Sequence, residues 1–350
     1  MPKKQLTKPQ KQPATKATKL APPPKEPKFH LLIFSILILA IIGITTIYLA
    51  NFTGIQDRIS SLFYTPSADI AALENEIDFT DSATYTFRAT HPSLEGRDQF
   101  NESCRSHNAD ISVLGCYTGG RIYIYDIKSS ELAGITESTA AHEFLHAAWD
   151  RLSESEKSTV SQYLNQVYAE HHDELSEDLS NYDDADQLDE LHSRIGTQIA
   201  DLPEYLEKYY SSYFKDQNKI VAYYNNYIKP FNEIKSQMES LKEELDTLKS
   251  QIDTDTNDYY SRSQALSSAI DEFNACANQA GCFASVSEFN NRRAELTDEQ
   301  NEVEELYNNI SAKVDSYNQK VEAYNDNILR TEQLQDVINS NAKVNQKLEN

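Results

Sequence analysis

Residues 139–149 read Thr139-Ala140-Ala141-His142-Glu143-Phe144-Leu145-His146-Ala147-Ala148-Trp149, and their spacing organises the rest of the chain. On a helix, positions four apart lie one above the other on one face. His142 and His146 can therefore aim imidazole nitrogens at one metal ion. Glu143, beside the first histidine, can reach a water on that ion but is poorly placed as a third ligand. Two neutral imidazoles with a carboxylate that takes a proton from water are suited to hydrolysing an amide. The flanking alanines, Leu145 and Trp149 make the segment a buried helix, in which polar groups need partners. The bland alternative is a helix with two satisfied core histidines and a solvated glutamate.

With its His-Glu-x-x-His, residues 142–146 resemble the metal helix of the zincin metallopeptidases. The resemblance implies zinc, hydrolysis of peptide bonds, and Glu143 as general base. Zinc would polarise the scissile carbonyl and lower the pKa of its water. It also implies that a strand near this helix pairs with an extended substrate backbone.

A catalytic zinc site wants a third protein ligand and an open position. The candidates downstream are His171, His172, Glu190 and His192. Zincins whose third ligand is a glutamate on a later helix are gluzincins, and that resemblance ranks Glu190 first and His192 second. The two are two apart on a helix and point to different faces. His171 and His172 sit among Glu170, Asp173 and Glu174, a solvated pattern. Gluzincins often carry an acid four residues after the glutamate; here that position is Arg194.

Around the metal helix (about 136–151), 69–76 reads as a short helix and Thr80–Phe87 as a strand, with Ala83, Tyr85 and Phe87 alternating. Two β-rich runs, 111–117 and 121–127, flank Gly119-Gly120 as a hairpin. Helical stretches follow over 155–180 and 187–197, separated by an acidic loop at 181–186. Tyr205–Tyr227 reads as a helix that packs a tyrosine-rich stripe on the core.

The N-terminal residues 1–29 hold seven prolines and eight lysines against one acid, Glu26. They predict a disordered basic leader. Residues 31–50 carry no charge and have the length of a membrane span. With Lys-rich flanks kept inside, the expectation is an uncleaved single-pass anchor over 30–50. The N-terminus would then be cytoplasmic and the rest extracytoplasmic at the cell membrane, after a linker at 51–68. The chain's net charge is −23, and an acidic domain of this kind excludes nucleic acid as a partner. Four cysteines, locally paired as Cys104 with Cys116 and Cys276 with Cys282, predict two disulfides.

Past Pro230, Ile234, Met238, Leu241, Leu245, Leu248 and Ile252 step by four and three, then Tyr259, Leu266 and Phe273 by seven. Leu296, Val303, Tyr307, Ile310, Val314, Tyr317, Val321, Tyr324 and Ile328 form a return series. Two heptad helices with a tip at 276–282 predict an antiparallel coiled-coil hairpin.

The expected fold class is thus α+β. A small zincin-like domain with a short β-sheet (69–229) follows one transmembrane helix and precedes a coiled-coil arm (230–335) and a polar tail (336–350). The expected site is His142, His146 and Glu190 on Zn2+ with Glu143 as base. The expected partners are a protein or peptide substrate, the membrane, and a protein met by the arm. Two other classes fit the same residues: a structural or adhesion protein working through the arm with an inactive metal site, and a non-peptidase zinc hydrolase acting on an envelope component.

Overall fold

The computed structural model describes residues 28–50, 52–104, 113–179 and 184–340, together with Gln10. The chain divides into two units, residues 1–52 and 53–350. In the first, Lys28–Ala50 forms helix α1. No helix among the described residues is long and apolar enough to cross a membrane. The expected single-pass anchor, its topology and the cell-membrane localisation are corrected accordingly. The basic leader expected over 1–29 lies almost wholly outside the described residues.

The second unit is mainly helical. Helices α2 (Phe52–Ser61), α3 (Ala68–Ile77) and α4 (Asp81–Ala89) precede strand β1 (Ser93–Glu95) and α5 (Arg97–Ser103). Strands β2 (Gly115–Thr118) and β3 (Arg121–Tyr125) lead into α6 (Ile135–Asp150), α7 (Glu154–Glu170), α8 (His172–Leu179), α9 (Asp184–Gln198) and α10 (Glu204–Tyr210). The long helices α11 (Gln217–Ala277) and α12 (Val286–Ile338) complete it. One sheet of order β1-β3-β2 is described, with β1 parallel and β2 antiparallel to β3. The expected α+β class with a transmembrane helix is therefore corrected to a mainly α fold carrying a small mixed sheet.

Two local readings explain the shortfall in strand. The run Thr80–Phe87 is helix α4, because Thr80 caps it by accepting from the Ala83 amide. Ala83 and Phe87 are buried while Tyr85 is 38% exposed. That is one helical turn between buried positions, not a strand's alternation. The expected linker 51–68 contains α2, whose Asp57 accepts from Arg151 Nε at 2.7 Å and Nη2 at 2.9 Å. This ties α2 to the end of α6. Residues 111–112, 180–183 and 341–350, which fall in the expected hairpin, acidic loop and tail, lie outside the described residues.

The core wraps α6. Phe144 on this helix meets Phe79, Phe87 and Phe214 at ring-centre distances of 4.7, 6.4 and 5.9 Å. The tyrosine-rich segment supplies α10 and the start of α11, with Tyr210 fully buried. A Cβ on Gly196 of α9 would lie 2.5 Å from Leu145 Cδ1 and 2.6 Å from Tyr210 Cε1. Glycine is what lets α9 press against α6.

The arm is an antiparallel hairpin closed by the expected Cys276–Cys282 disulfide, with Cα atoms 5.3 Å apart. Cys104 and Cys116 form the other, at 6.1 Å. Helix α11 runs through Pro230 without interruption. Along α11 the seam is as expected, from Ile234 through Phe273. On α12 it passes through Val303, Leu306, Ile310, Lys313, Tyr317, Lys320 and Tyr324, whereas Tyr307, Val314 and Ile328 are 57%, 37% and 37% exposed. The return series had placed those three inside. Ion pairs explain the difference: Lys313 meets Asp255 at 2.6 Å and Arg262 meets Glu299 at 2.9 Å across the seam. Half-buried charge pairs across the seam favour this register over its neighbours.

Gly196→Ala sets two effects against each other. Relieving a helical glycine is worth about 0.5–1 kcal/mol, while overpacking a tight contact costs typically about 1–3 kcal/mol. The variant should be net less stable in chemical denaturation; an increase in stability would contradict the close approach.

Candidate metal site

Helix α6 presents His142 and His146 on one face, and α9 brings Glu190 opposite them. His142 Nε2 and His146 Nε2 are 3.1 Å apart. Glu190 Oε2 stands 3.6 Å from the first and 3.5 Å from the second. Zinc–nitrogen bonds of about 2.0–2.1 Å in tetrahedral geometry put neighbouring donors about 3.3–3.4 Å apart. The three atoms thus approximate one face of a tetrahedron, and this group could hold a metal ion. The fourth direction is left for another ligand.

Two of the three, His146 and Glu190, are held from behind. Asp189 Oδ1 lies 2.9 Å from His146 Nδ1, which puts the proton on Nδ1 and frees Nε2 as a donor. Arg194 Nε donates to Glu190 Oε1 at 2.7 Å, leaving Oε2 for the site. So the residue that departs from the gluzincin pattern grips the glutamate itself, and an acid next to the glutamate orients the second histidine. Adjacency to Glu190 was the only signal for Asp189 in the sequence.

Glu143 is buried, at 6% exposure, with Glu190 at 5%. It lies under β2: a Cβ on Gly115 would come within 2.7 Å of Glu143 Cγ and 2.9 Å of Oε1. Glycine at this point of the strand gives the carboxylate its room, and nothing in the hairpin's sequence had singled it out.

The charges follow from this packing. Burial alone would raise the Glu190 carboxyl, but the His142 and His146 imidazoles outweigh it and hold Glu190 well below the usual range. Burial would lower His146; its contacts with Asp189 and Glu190 reverse that and raise it well above its ordinary value.

The other candidates stand elsewhere. His192 is fully buried, against Trp149 with ring centres 5.1 Å apart and with Nε2 3.0 Å from Tyr209 Oη. Burial first, then the nearby His146 and His142, push it down to about 3. It is a neutral core histidine. His171 pairs with Glu174 of its own turn at 3.2 Å, and His172 lies 3.6 Å from Asp173. Neither belongs to the His142/His146/Glu190 group.

The chain matches no family model, no curated protein and no solved structure.

Glu190→Ala should lower zinc affinity by more than the about 10–100-fold typical of losing an outer-shell partner, whereas His192→Ala should leave zinc per folded molecule unchanged. Metal analysis after dialysis checks both; the reverse result would assign the third ligand to His192. Because His146 is raised above its ordinary 6.5, an incoming divalent ion must displace a proton at neutral pH. Affinity should therefore climb with pH through neutrality, by up to about tenfold per unit for one proton. Calorimetry in buffers of different ionisation enthalpy should detect that proton's release.

Proposed function

We propose that this chain is a zinc-dependent metallopeptidase. The observation that carries the reading is the triangle of His142 Nε2, His146 Nε2 and Glu190 Oε2 beside a buried Glu143. When bound there, zinc supplies a Lewis acid that polarises a substrate carbonyl and acidifies a water. Glu143 takes a proton from that water and delivers it to the leaving amine. Asp189 and Arg194 keep His146 and Glu190 aimed while this happens. Among the described residues no strand pairs with the outer edge of β2 over Glu143, an edge suited to pairing with an extended backbone.

A non-catalytic reading draws on a different observation. Helices of 61 and 53 residues make up the arm, with a disulfide at its tip. An arm of this length serves a protein that holds a partner at a distance, and in that reading the metal group is structural.

The two readings separate on one variant. Glu143 is outside the ligand triangle, so Glu143→Gln should retain zinc and fold while losing most turnover of a mixed peptide library. Wild-type cleavage should vanish with chelator and return with zinc. Undiminished cleavage by Glu143→Gln would exclude the mechanism; zinc-loaded wild type that cuts no peptide would favour the structural reading.

A further inference from the structure

Resting on the peptidase reading, we propose that the site takes the C-terminal end of an extended peptide. The substrate adds to the outer edge of β2, and the end of α12 stops it about two residues past the reacting carbonyl.

The hairpin's backbone sets the geometry. Gly119 and Gly120, with φ of 58° and 76°, form a two-residue turn between paired Thr118 and Arg121. In such a ladder, hydrogen-bonded pairs alternate with pairs whose amides point outward. Thr118, Cys116 and Leu114 therefore bond to β3, as the Tyr125 amide donating to Leu114 O at 2.9 Å shows. The β3 amides of alternate parity turn the other way: Ile122 donates to Thr90 O and Asp126 to Glu95 O. By the same alternation, Val113, Gly115 and Tyr117 direct their backbone groups away from β3. Among the described residues no strand covers that side.

One of the three is already occupied. Ser340 Oγ, just past α12, donates to Val113 O at 3.2 Å. Ser340 is 1% exposed, and its own carbonyl accepts from Asn101 Nδ2. Arg97 Nη2 donates to Asp336 O at 3.2 Å, and Leu334 is buried beside the Cys104–Cys116 disulfide. The end of α12 is thus a fixed wall across the start of the β2 edge. Gly115 and Tyr117 remain for a substrate strand, and Gly115 lies on Glu143.

Antiparallel addition is the more stable pairing, and it runs the substrate's N-to-C direction from Tyr117 towards Val113. A carbonyl reacting at Glu143 then has about two residues, roughly 7 Å at about 3.3 Å each, before Ser340 blocks the path. In the reaction, a water oxygen bonds to the carbonyl carbon and the C–N bond breaks. A water proton passes through Glu143 to the leaving amine. The products are a shortened peptide carboxylate and a fragment of one or two residues.

The test uses the full chain with zinc on one peptide in four forms: linear, N-acetylated, C-terminally lengthened and head-to-tail cyclised. The expected products are one- or two-residue fragments from the C-terminus. N-acetylation should have no effect, the cut should move with the new end of the lengthened peptide, and the cyclic form should stay intact. A chain ending at Ile338 should gain cleavage at internal bonds. Separately, hydrogen exchange on zinc-free Glu143→Gln with the linear peptide should slow the Gly115 and Tyr117 amides and leave Val113 unchanged. Cleavage of the cyclic form, or release of N-terminal residues, by the intact chain would overturn the end restriction while leaving the peptidase reading in place. Slowed exchange without cleavage of any form would leave docking on β2 and remove the hydrolase reading with the inference. Unchanged exchange at Gly115 and Tyr117 would overturn docking on β2.

Discussion

The burial of Glu190 between two imidazoles constrains everything near the site. An ionised carboxylate at 5% exposure is costly to hold without compensation. Compensation comes from four directions: His142, His146, Arg194 and the order imposed by the α6–α9 contact. That contact is itself possible only because Gly196 lets Leu145 and Tyr210 close on α9. Moving α9 outward by a methyl group's radius would part Glu190 from both histidines and leave Arg194, on its own helix, as its named partner. Helix packing and electrostatics are here one constraint, because neither tolerates the loss of the other.

This explains which parts were legible before any coordinates. His142, Glu143 and His146 sit on one helix, and a 3.6-residue period alone places two histidines on one face. Glu190 required a tertiary contact 44 positions later, and its rank over His192 came from resemblance; packing against Trp149 and Tyr209 makes His192 core. Asp189 had only its adjacency to Glu190, and Gly115 had no signal at all, since their roles exist only once α9 and β2 are packed on α6. The strand expected at Thr80–Phe87 failed for a definable reason: Ala83, Tyr85 and Phe87 satisfy both a period of two and, without Tyr85, a turn of helix. Thr80 as a cap decides between them. The heptads of the arm were legible because they repeat many times, and the misplacement of Tyr307, Val314 and Ile328 arose from following hydrophobicity where Lys313 and Lys320 hold the seam.

Those seam lysines bear on how the arm is used. A seam of leucines alone would tolerate slippage by a heptad at little cost. Asp255–Lys313 and Arg262–Glu299 favour one register, because a slipped arm would lose both pairs. The register matters at the root of the arm. Helix α11 begins at Gln217, whose side chain donates to the carbonyls of Gly196 and Ile199 at 3.1 and 3.0 Å, at the end of the helix that carries Glu190. Just past the end of α12, Ser340 lies against the strand that roofs Glu143.

A hairpin with one register and both ends tied in this way cannot shift one helix against the other without straining one of two places. Sliding α11 pulls on the carbonyls that finish α9. Sliding α12 pulls on Val113, two residues before Gly115. The two ends of the arm are therefore tied to the helix that carries Glu190 and to the strand over Glu143. Pro230, within an unbroken α11, is the one position along α11 where the hydrogen-bond ladder loses a donor.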